Sequence, residues 1–126
     1  MLAAAIEPVD GLARDHAPAP LGLSRLYALQ VRVVGVVVVP AVREYLVALG
    51  AATQGHRQFH LGLGPRGLLT WQRLAQAHAF LDGREFVTPD DVQEVARPVL
   101  EVRLGVEPEV IGRVLDEILA GVRVPA

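Results

Sequence analysis

The segment GLGPRGLLTWQRLAQAHAFLDGREFVTPDD, residues 62–91, carries the clearest structural signals in the sequence. Pro65 suits the first position of a helix, because its φ is already helical and the donor that it lacks is not needed there. Gly83 can adopt the left-handed conformation that ends a helix. The segment therefore predicts a helix over residues 65–82, followed by a short extended link.

The string TPDD at residues 88–91 has the pattern of a second helix start. Thr88 can cap the helix, Pro89 can take its first position, and Asp91 stands where a capping box places its reciprocal acceptor. We expect this helix to run from Pro89 to about Arg103. Pro98 should kink or split it, because proline removes one backbone hydrogen bond.

The predicted helix over residues 65–82 is apolar on more than one side. At 100° per residue, one broad face carries Leu68, Trp71, Leu74, Ala75, His78 and Leu81. Leu69 and Phe80 lie nearly opposite this face, which leaves Gln72 and Gln76 in a narrow polar arc. A helix of this kind is expected at the centre of a fold.

Shorter helices are predicted on both sides of this central one. Ser24 can cap a helix that ends before Gly35, Pro40 can open another that runs to about Ala52, and a regular apolar stripe marks residues 108–120. The β-branched run at residues 36–39 predicts a minimal buried strand, which could pair with residues 85–87. The fold class is therefore all-α: a small helical bundle around helix 65–82, with at most a tiny two-stranded sheet.

Composition narrows the classes of function. The chain has 126 residues, which favours one domain, and residues 1–22 have the irregular pattern of a loosely structured connecting segment. All twelve basic residues are arginines, spread evenly in a chain of net charge −2, so nucleic acid is not an expected partner. The absence of cysteine and of a signal-peptide pattern favours a cytoplasmic location. The most apolar stretch is too short to span a membrane.

Arg66 is the unusual residue of the first helical turn. A cation there faces the positive end of the helix dipole, which is unfavourable by a few tenths to about 1 kcal/mol. The same position favours an anion, because backbone N–H groups are free there. Arg66 thus fits a shared anion, although its charged tip could also simply extend into solvent.

Other chemistry has little support in the residues. No phosphate-binding P-loop is present, and a chain without lysine cannot have one. His56 and His60 are four apart, but the surrounding loop and the lack of a third ligand favour loop histidines over a metal site. His78 is expected to be a core histidine. Ser24, the only serine, has no histidine or acid near it in sequence, so a hydrolase site is not supported.

Several ordered motifs together resemble a known module. They are GPR at residues 64–66, LDGR at 81–84, FVTPDDV at 86–92 and RPVL at 97–100. In this order they resemble the C-terminal lid domain of the MoxR family of AAA+ ATPases over residues 23–126. A more remote similarity extends to the lid of magnesium-chelatase ATPase subunits.

The resemblance implies a role for the start of the central helix. Arg66 matches the sensor 2 arginine of that family, which reaches the γ-phosphate of ATP, and Gly64 and Pro65 would lie beside it at the nucleotide. The sequence departs from the family pattern at Gly64, where serine is usual, and at Gly67, where alanine is usual.

The resemblance also implies partners. ATP and Mg²⁺ would be held by a separate AAA+ core domain, so this chain should not hydrolyse ATP alone. Neighbouring subunits of a ring oligomer would receive the motion of the lid, and the work of the whole would be chaperone-like remodelling of a client protein. Two other interpretations remain open: a stand-alone helical protein–protein interaction module, and a DNA-associated helical domain. The acidic, lysine-free composition disfavours the second.

Overall fold

The computed structural model describes Pro20 and residues 22–59, 62–105 and 107–126, with only the backbone of Arg103 and Leu104. The chain divides into two units, Met1–Arg32 and Val33–Ala126, and each is described by itself. Nearly all of the predicted connecting segment, residues 1–22, lies outside the described residues, so that assignment stays a prediction.

Helix α1 spans Leu23–Val34 and lies mostly in the first unit. The N–H of Leu26 donates to the carbonyl of Gly22 at 3.0 Å, so the helix begins earlier than predicted. The prediction that Ser24 caps this helix is wrong, because Ser24 already lies inside its first turn. The predicted end before Gly35 is confirmed.

The second unit is built from five helices in its described part. They are α2 (Pro40–Gln54), α3 (Pro65–Leu81), α4 (Pro89–Glu94), α5 (Ala96–Leu104) and α6 (Pro108–Gly121). Four of the five begin with proline, as expected for a residue that needs no donor in the first turn. The all-α prediction is confirmed. Among the described residues, no helix combines the length and apolar character needed to cross a bilayer.

The boundaries predicted within residues 62–91 agree with the structure. Helix α3 ends at Leu81, and Asp82 is its C-cap residue. Gly83 follows with a φ of 80°, in the left-handed region. The Thr88 side chain accepts from the Asp91 N–H, and the Asp91 side chain accepts from the Thr88 N–H. The capping box is therefore complete, and α4 starts where the sequence predicts.

The predicted strand at residues 36–39 is reduced to a single parallel bridge between Val37 and Phe86. Its two bonds run from the Val37 N–H to the Glu85 carbonyl and from the Val87 N–H to the Val37 carbonyl, both at 2.9 Å. The prediction that this strand is buried holds for Val36 but is wrong for Val37 and Val39, which are exposed. Within the described residues this element is therefore an isolated bridge and not a strand.

The helix predicted from Pro89 to about Arg103 is split, as the position of Pro98 suggests. α4 ends at Glu94 and α5 begins at Ala96, with Val95 between them. Because Pro98 has no N–H, the carbonyl of Glu94 has no partner four residues later, and the break falls at that point.

Helix α3 is central in the second unit and packs against α2, α4 and α5. Trp71 is fully buried on it, and its indole N–H donates to the Val92 carbonyl of α4 at 2.9 Å. The predicted apolar face is wrong at Leu74 and Leu81, which are exposed. The reason is that α3 buries the side bearing Trp71, Ala75 and Ala79, so that its flanks remain open.

Candidate functional site

The start of α3 brings the three predicted site residues together at the surface. Gly64 is the N-cap residue with extended backbone (φ −86°, ψ −176°), Pro65 is the first helical residue, and Arg66 follows it. All three are exposed. The resemblance-based site is therefore one contiguous and accessible turn.

This turn leaves backbone donors available. The first helical bond runs from the Leu68 N–H to the Gly64 carbonyl at 3.0 Å, so the N–H groups of Arg66 and Gly67 have no acceptor within the helix. No side chain caps this end, and the first turn has no acidic residue. Within the part of the chain that the structure describes, the Arg66 guanidinium forms no hydrogen bond or ion pair. The turn thus has the positive dipole end, free donors and a cation that an anion would bind.

The backbone just before this turn is tied to the end of α2. The Leu63 N–H donates to the Thr53 hydroxyl at 2.9 Å, and the Gln54 amide donates to the Leu63 carbonyl at 3.2 Å. Leu63 is itself buried. Sequence analysis did not identify Thr53 or Gln54, because their partner lies about ten residues further along the chain across a loop.

The far end of α3 is held by a buried ion pair that sequence analysis also missed. Arg84 contacts both carboxylate oxygens of Asp91, at 2.6 and 2.7 Å, and the side chain of Asp91 is 0% exposed. The His78 Nδ1–H donates to the same carboxylate at 2.6 Å. His78 is therefore a satisfied histidine, although its side chain is 40% exposed and not a core residue as predicted. The sequence could have suggested this ion pair, because Arg84 and Asp91 stand on either side of the cap residue Thr88.

The environment of Asp91 favours its charged form. Burial by itself would raise the pKa of Asp91, but hydrogen bonds from Arg84, from the Thr88 backbone and from His78 outweigh it. The pKa of Asp91 is therefore held well below its usual value. The hydrogen bond to Asp91 in turn raises the pKa of Arg84. We call this arrangement the clamp between α3 and α4. Its role is structural, because its polar groups form hydrogen bonds with one another.

Of the two histidines considered as metal ligands, the structure describes only His56. The His56 Nε2–H donates to Glu117 of α6 at 3.0 Å, and its Nδ1 accepts from the Gln58 N–H at 3.1 Å. His60 lies outside the described residues. Among the residues that are described, no three His, Asp or Glu side chains cluster in a way that could hold a metal ion.

Gln76 corrects a second sequence prediction on α3. It was assigned to the polar arc, yet it is 2% exposed. Its amide nitrogen donates to the carbonyls of Val34 and Val36, and its amide oxygen accepts from Arg73. Both of its polar atoms are thus satisfied, so burial of this side chain leaves no polar atom without a hydrogen bond. Arg73, although two turns from Arg66 on the same helix, is engaged in this contact.

Comparison with known proteins agrees with this architecture. The family described as the AAA lid domain matches residues 51–120, which include the whole of α3 and the Arg66 turn. A crystal structure at 2.00 Å of a protein described as an ATPase, from Cytophaga hutchinsonii ATCC 33406, superposes with a TM-score of 0.69 at 21% identity. The superposition covers 82% of this chain and 36% of the Cytophaga protein, and it shows that the two share a fold.

Curated relatives point to the same family. YeaC of Bacillus subtilis (strain 168) is 34% identical, over 68% of this chain and 28% of its own length. MoxR of Paracoccus denitrificans is 33% identical, over 69% of this chain and 32% of its own length. The chain thus spans about a third or less of these relatives. By its family match, its relatives and its fold, this chain belongs to the AAA+ lid domains of the MoxR family.

Proposed function

We propose that this lid closes over ATP bound by a separate AAA+ core domain, and that Arg66 acts as the sensor 2 residue at the γ-phosphate. Closing and opening of the lid would couple hydrolysis to chaperone-like remodelling through neighbouring subunits of a ring. The cytoplasm is the location that this proposal assumes.

The observation that carries the proposal is the state of the Arg66 turn. The turn is exposed, it has free backbone donors, and its guanidinium is not engaged by any described residue. A cation at the positive end of a helix is unfavourable without an anion, and a terminal phosphate supplies one. An arginine is well matched to phosphate, because its planar donors can form two parallel hydrogen bonds.

The residues of this chain fit one part of nucleotide binding. They can supply a cation and backbone donors to a phosphate, whereas Mg²⁺ and the acidic groups that hold it are assigned to the core domain. Mg²⁺ would neutralise charge on the phosphates during transfer. Hydrolysis therefore requires the core and the lid together, and no activity is expected of this chain alone.

Reconstitution of hydrolysis tests the proposal. The ATPase core of a MoxR-family protein, prepared without its own lid, is combined with this chain, and ATP hydrolysis is measured. We expect the chain to raise the rate and Arg66→Ala to lower it about 10- to 100-fold, the effect of one charged hydrogen bond of about 1.5–3 kcal/mol. The matched control is Arg113→Ala, which removes an exposed arginine on α6 and should leave the rate unchanged.

Two results would reject the proposal. One is the absence of any stimulation by the wild-type chain, and the other is equal stimulation by the Arg66→Ala variant. Either would favour the alternative that the chain is a helical protein–protein interaction module without a nucleotide function.

A further inference from the structure

Thr53 connects two segments that are distant in sequence. Its side chain lies in the last turn of α2, and the residue is 0% exposed. The hydroxyl donates to the Gly50 carbonyl at 2.6 Å, within the same helix, and accepts from the Leu63 N–H at 2.9 Å. The first bond is common for a threonine in a helix. The second bond fixes the backbone just before the Arg66 turn.

Neighbouring contacts hold the same segment against α2. The Gln54 amide donates to the Leu63 carbonyl at 3.2 Å, so both backbone groups of Leu63 are bound to adjacent residues of α2. Gly62 lies so close to α2 that a Cβ atom on it would fall 2.3 Å from the Gln54 Cα. Because an added Cβ would clash with the backbone of α2, this close approach requires glycine.

The contact continues into the first turn of α3. The Leu63 side chain is 2% exposed and lies against Gly67, where an added Cβ would fall 2.5 Å from the leucine Cδ1. Gly67, where the family usually has alanine, is therefore a site of close packing. The backbone of Leu63 is thus bound to the end of α2, and its side chain packs against Gly67, the residue after Arg66.

We propose that Thr53, assisted by Gln54, is a positioning residue for Arg66. By fixing the backbone at Leu63 it sets where the first turn of α3 lies, and hence where the guanidinium meets the phosphate. This inference rests on the proposed function of Arg66. It extends that function to a buried hydroxyl that contacts no nucleotide.

The test combines the chain with the MoxR-family core and compares Thr53→Val, Thr53→Ser and Arg66→Ala. Valine has the shape of threonine but lacks both hydrogen bonds, whereas serine keeps the hydroxyl. We expect Thr53→Val to lower kcat for ATP hydrolysis about 10-fold, because misplacement of a catalytic group by about 1 Å can cost about 100-fold and a smaller shift costs less. Thr53→Ser should retain most of the wild-type activity, because it keeps the hydroxyl. Assays are run below the unfolding temperature of the least stable variant.

A double variant separates positioning from general destabilisation. If Thr53 acts through Arg66, adding Thr53→Val to Arg66→Ala causes no further loss of kcat. Hydrogen exchange on the chain alone provides a second readout. The Leu63 amide should exchange at least about 10-fold faster in Thr53→Val, while the amides of α6 keep their wild-type rates.

The outcomes distinguish this inference from the proposed function. If Arg66→Ala loses activity and Thr53→Val does not, the inference is overturned and the role of Arg66 stands. An equal loss from Thr53→Val in both backgrounds also overturns it. If Arg66→Ala retains full activity, both proposals are overturned. Should Thr53→Val fail to fold, Gln54→Leu replaces it, because that side chain is exposed, and an unchanged kcat would then be the contradicting result.

Discussion

Arg84 grips Asp91 with two parallel hydrogen bonds, from Nη1 to Oδ2 at 2.6 Å and from Nη2 to Oδ1 at 2.7 Å. The carboxylate is fully buried. It also accepts hydrogen bonds from His78, in the last turn of α3, and from the N–H of Thr88, the cap residue of α4. One charged group therefore joins the end of the arginine-bearing helix to the start of the next. The Arg66 turn lies at the opposite end of the same helix.

Removal of the charge on Asp91 should destabilise the fold strongly. In Asp91→Asn the amide group faces the donors of Arg84, and we expect the free energy of unfolding to fall by about 3 kcal/mol, the low end for breaking a buried pair. The matched control is Asp90→Asn, an exposed neighbour in the same helical turn, which should cost no more than about 1 kcal/mol. Urea unfolding followed by Trp71 fluorescence measures both. Equal effects would show that the buried pair adds nothing specific.

The clamp also predicts how stability depends on pH. An unfolded aspartate binds its proton near pH 3.9, whereas the folded Asp91 has a lowered pKa and does so only at lower pH. The stabilising contribution is thus fully present above about pH 5 and is lost as the pH falls through the folded pKa. The stability difference between wild type and Asp91→Asn should therefore shrink as the pH is lowered from 5 towards 2. A constant difference over this range would contradict the assignment.

Glu117 contributes to the same acid sensitivity at a second place. The hydrogen bond from His56 lowers the pKa of Glu117, so this pair also favours the folded state above the unfolded pKa of a glutamate. Because the carboxylate is accessible to solvent, its share of the acid loss should be the smaller one. Urea unfolding of Glu117→Gln at pH 7 and at pH 3 measures this share. For each variant, the stability difference from wild type at pH 7 is compared with that at pH 3. If this difference changes more for Glu117→Gln than for Asp91→Asn, Glu117 and not Asp91 makes the larger contribution to acid sensitivity.

Glycines on either side of Leu63 should respond oppositely to substitution. Gly62→Ala would push a Cβ against the α2 backbone at Gln54, and we expect a loss of about 3 kcal/mol, at the upper end for overpacking. Gly64 has open space around its Cα, and it caps α3 without a side-chain bond. Gly64→Ser should therefore add a cap and stabilise the chain by a few tenths of a kcal/mol. Thermal unfolding of the two variants decides this, and a stable Gly62→Ala protein would show that the segment is free to move.

The helix boundaries were predictable because their causes are local. Pro65, Gly83 and the capping box of Thr88 and Asp91 each act within a few residues, and all appear as the sequence indicates. Ser24 was misassigned because Gly22 supplies an earlier start to α1, and a serine can occupy either position.

The contacts that hold the site could not be predicted in the same way. Gln76 bonds carbonyls about forty residues away, and the hydroxyl of Thr53 meets Leu63 across a loop. These pairings depend on how the helices pack, which periodicity does not specify. Periodicity likewise overstated the apolar face of α3, since Leu74 and Leu81 fall outside the part that α2, α4 and α5 cover. The position of Arg66 was predictable from the signals that start its helix, whereas the proposal of a phosphate partner rests on the resemblance.

If Arg66 contacts the γ-phosphate, it should distinguish ATP from ADP. Dissociation constants are measured for a non-hydrolysable ATP analogue and for ADP, on the MoxR-family core combined with wild-type chain or with Arg66→Ala. If Arg66 meets the γ-phosphate, the variant binds the ATP analogue about 10- to 100-fold more weakly and binds ADP as the wild type does. Equal weakening of both nucleotides, or no change in either, would contradict the claim.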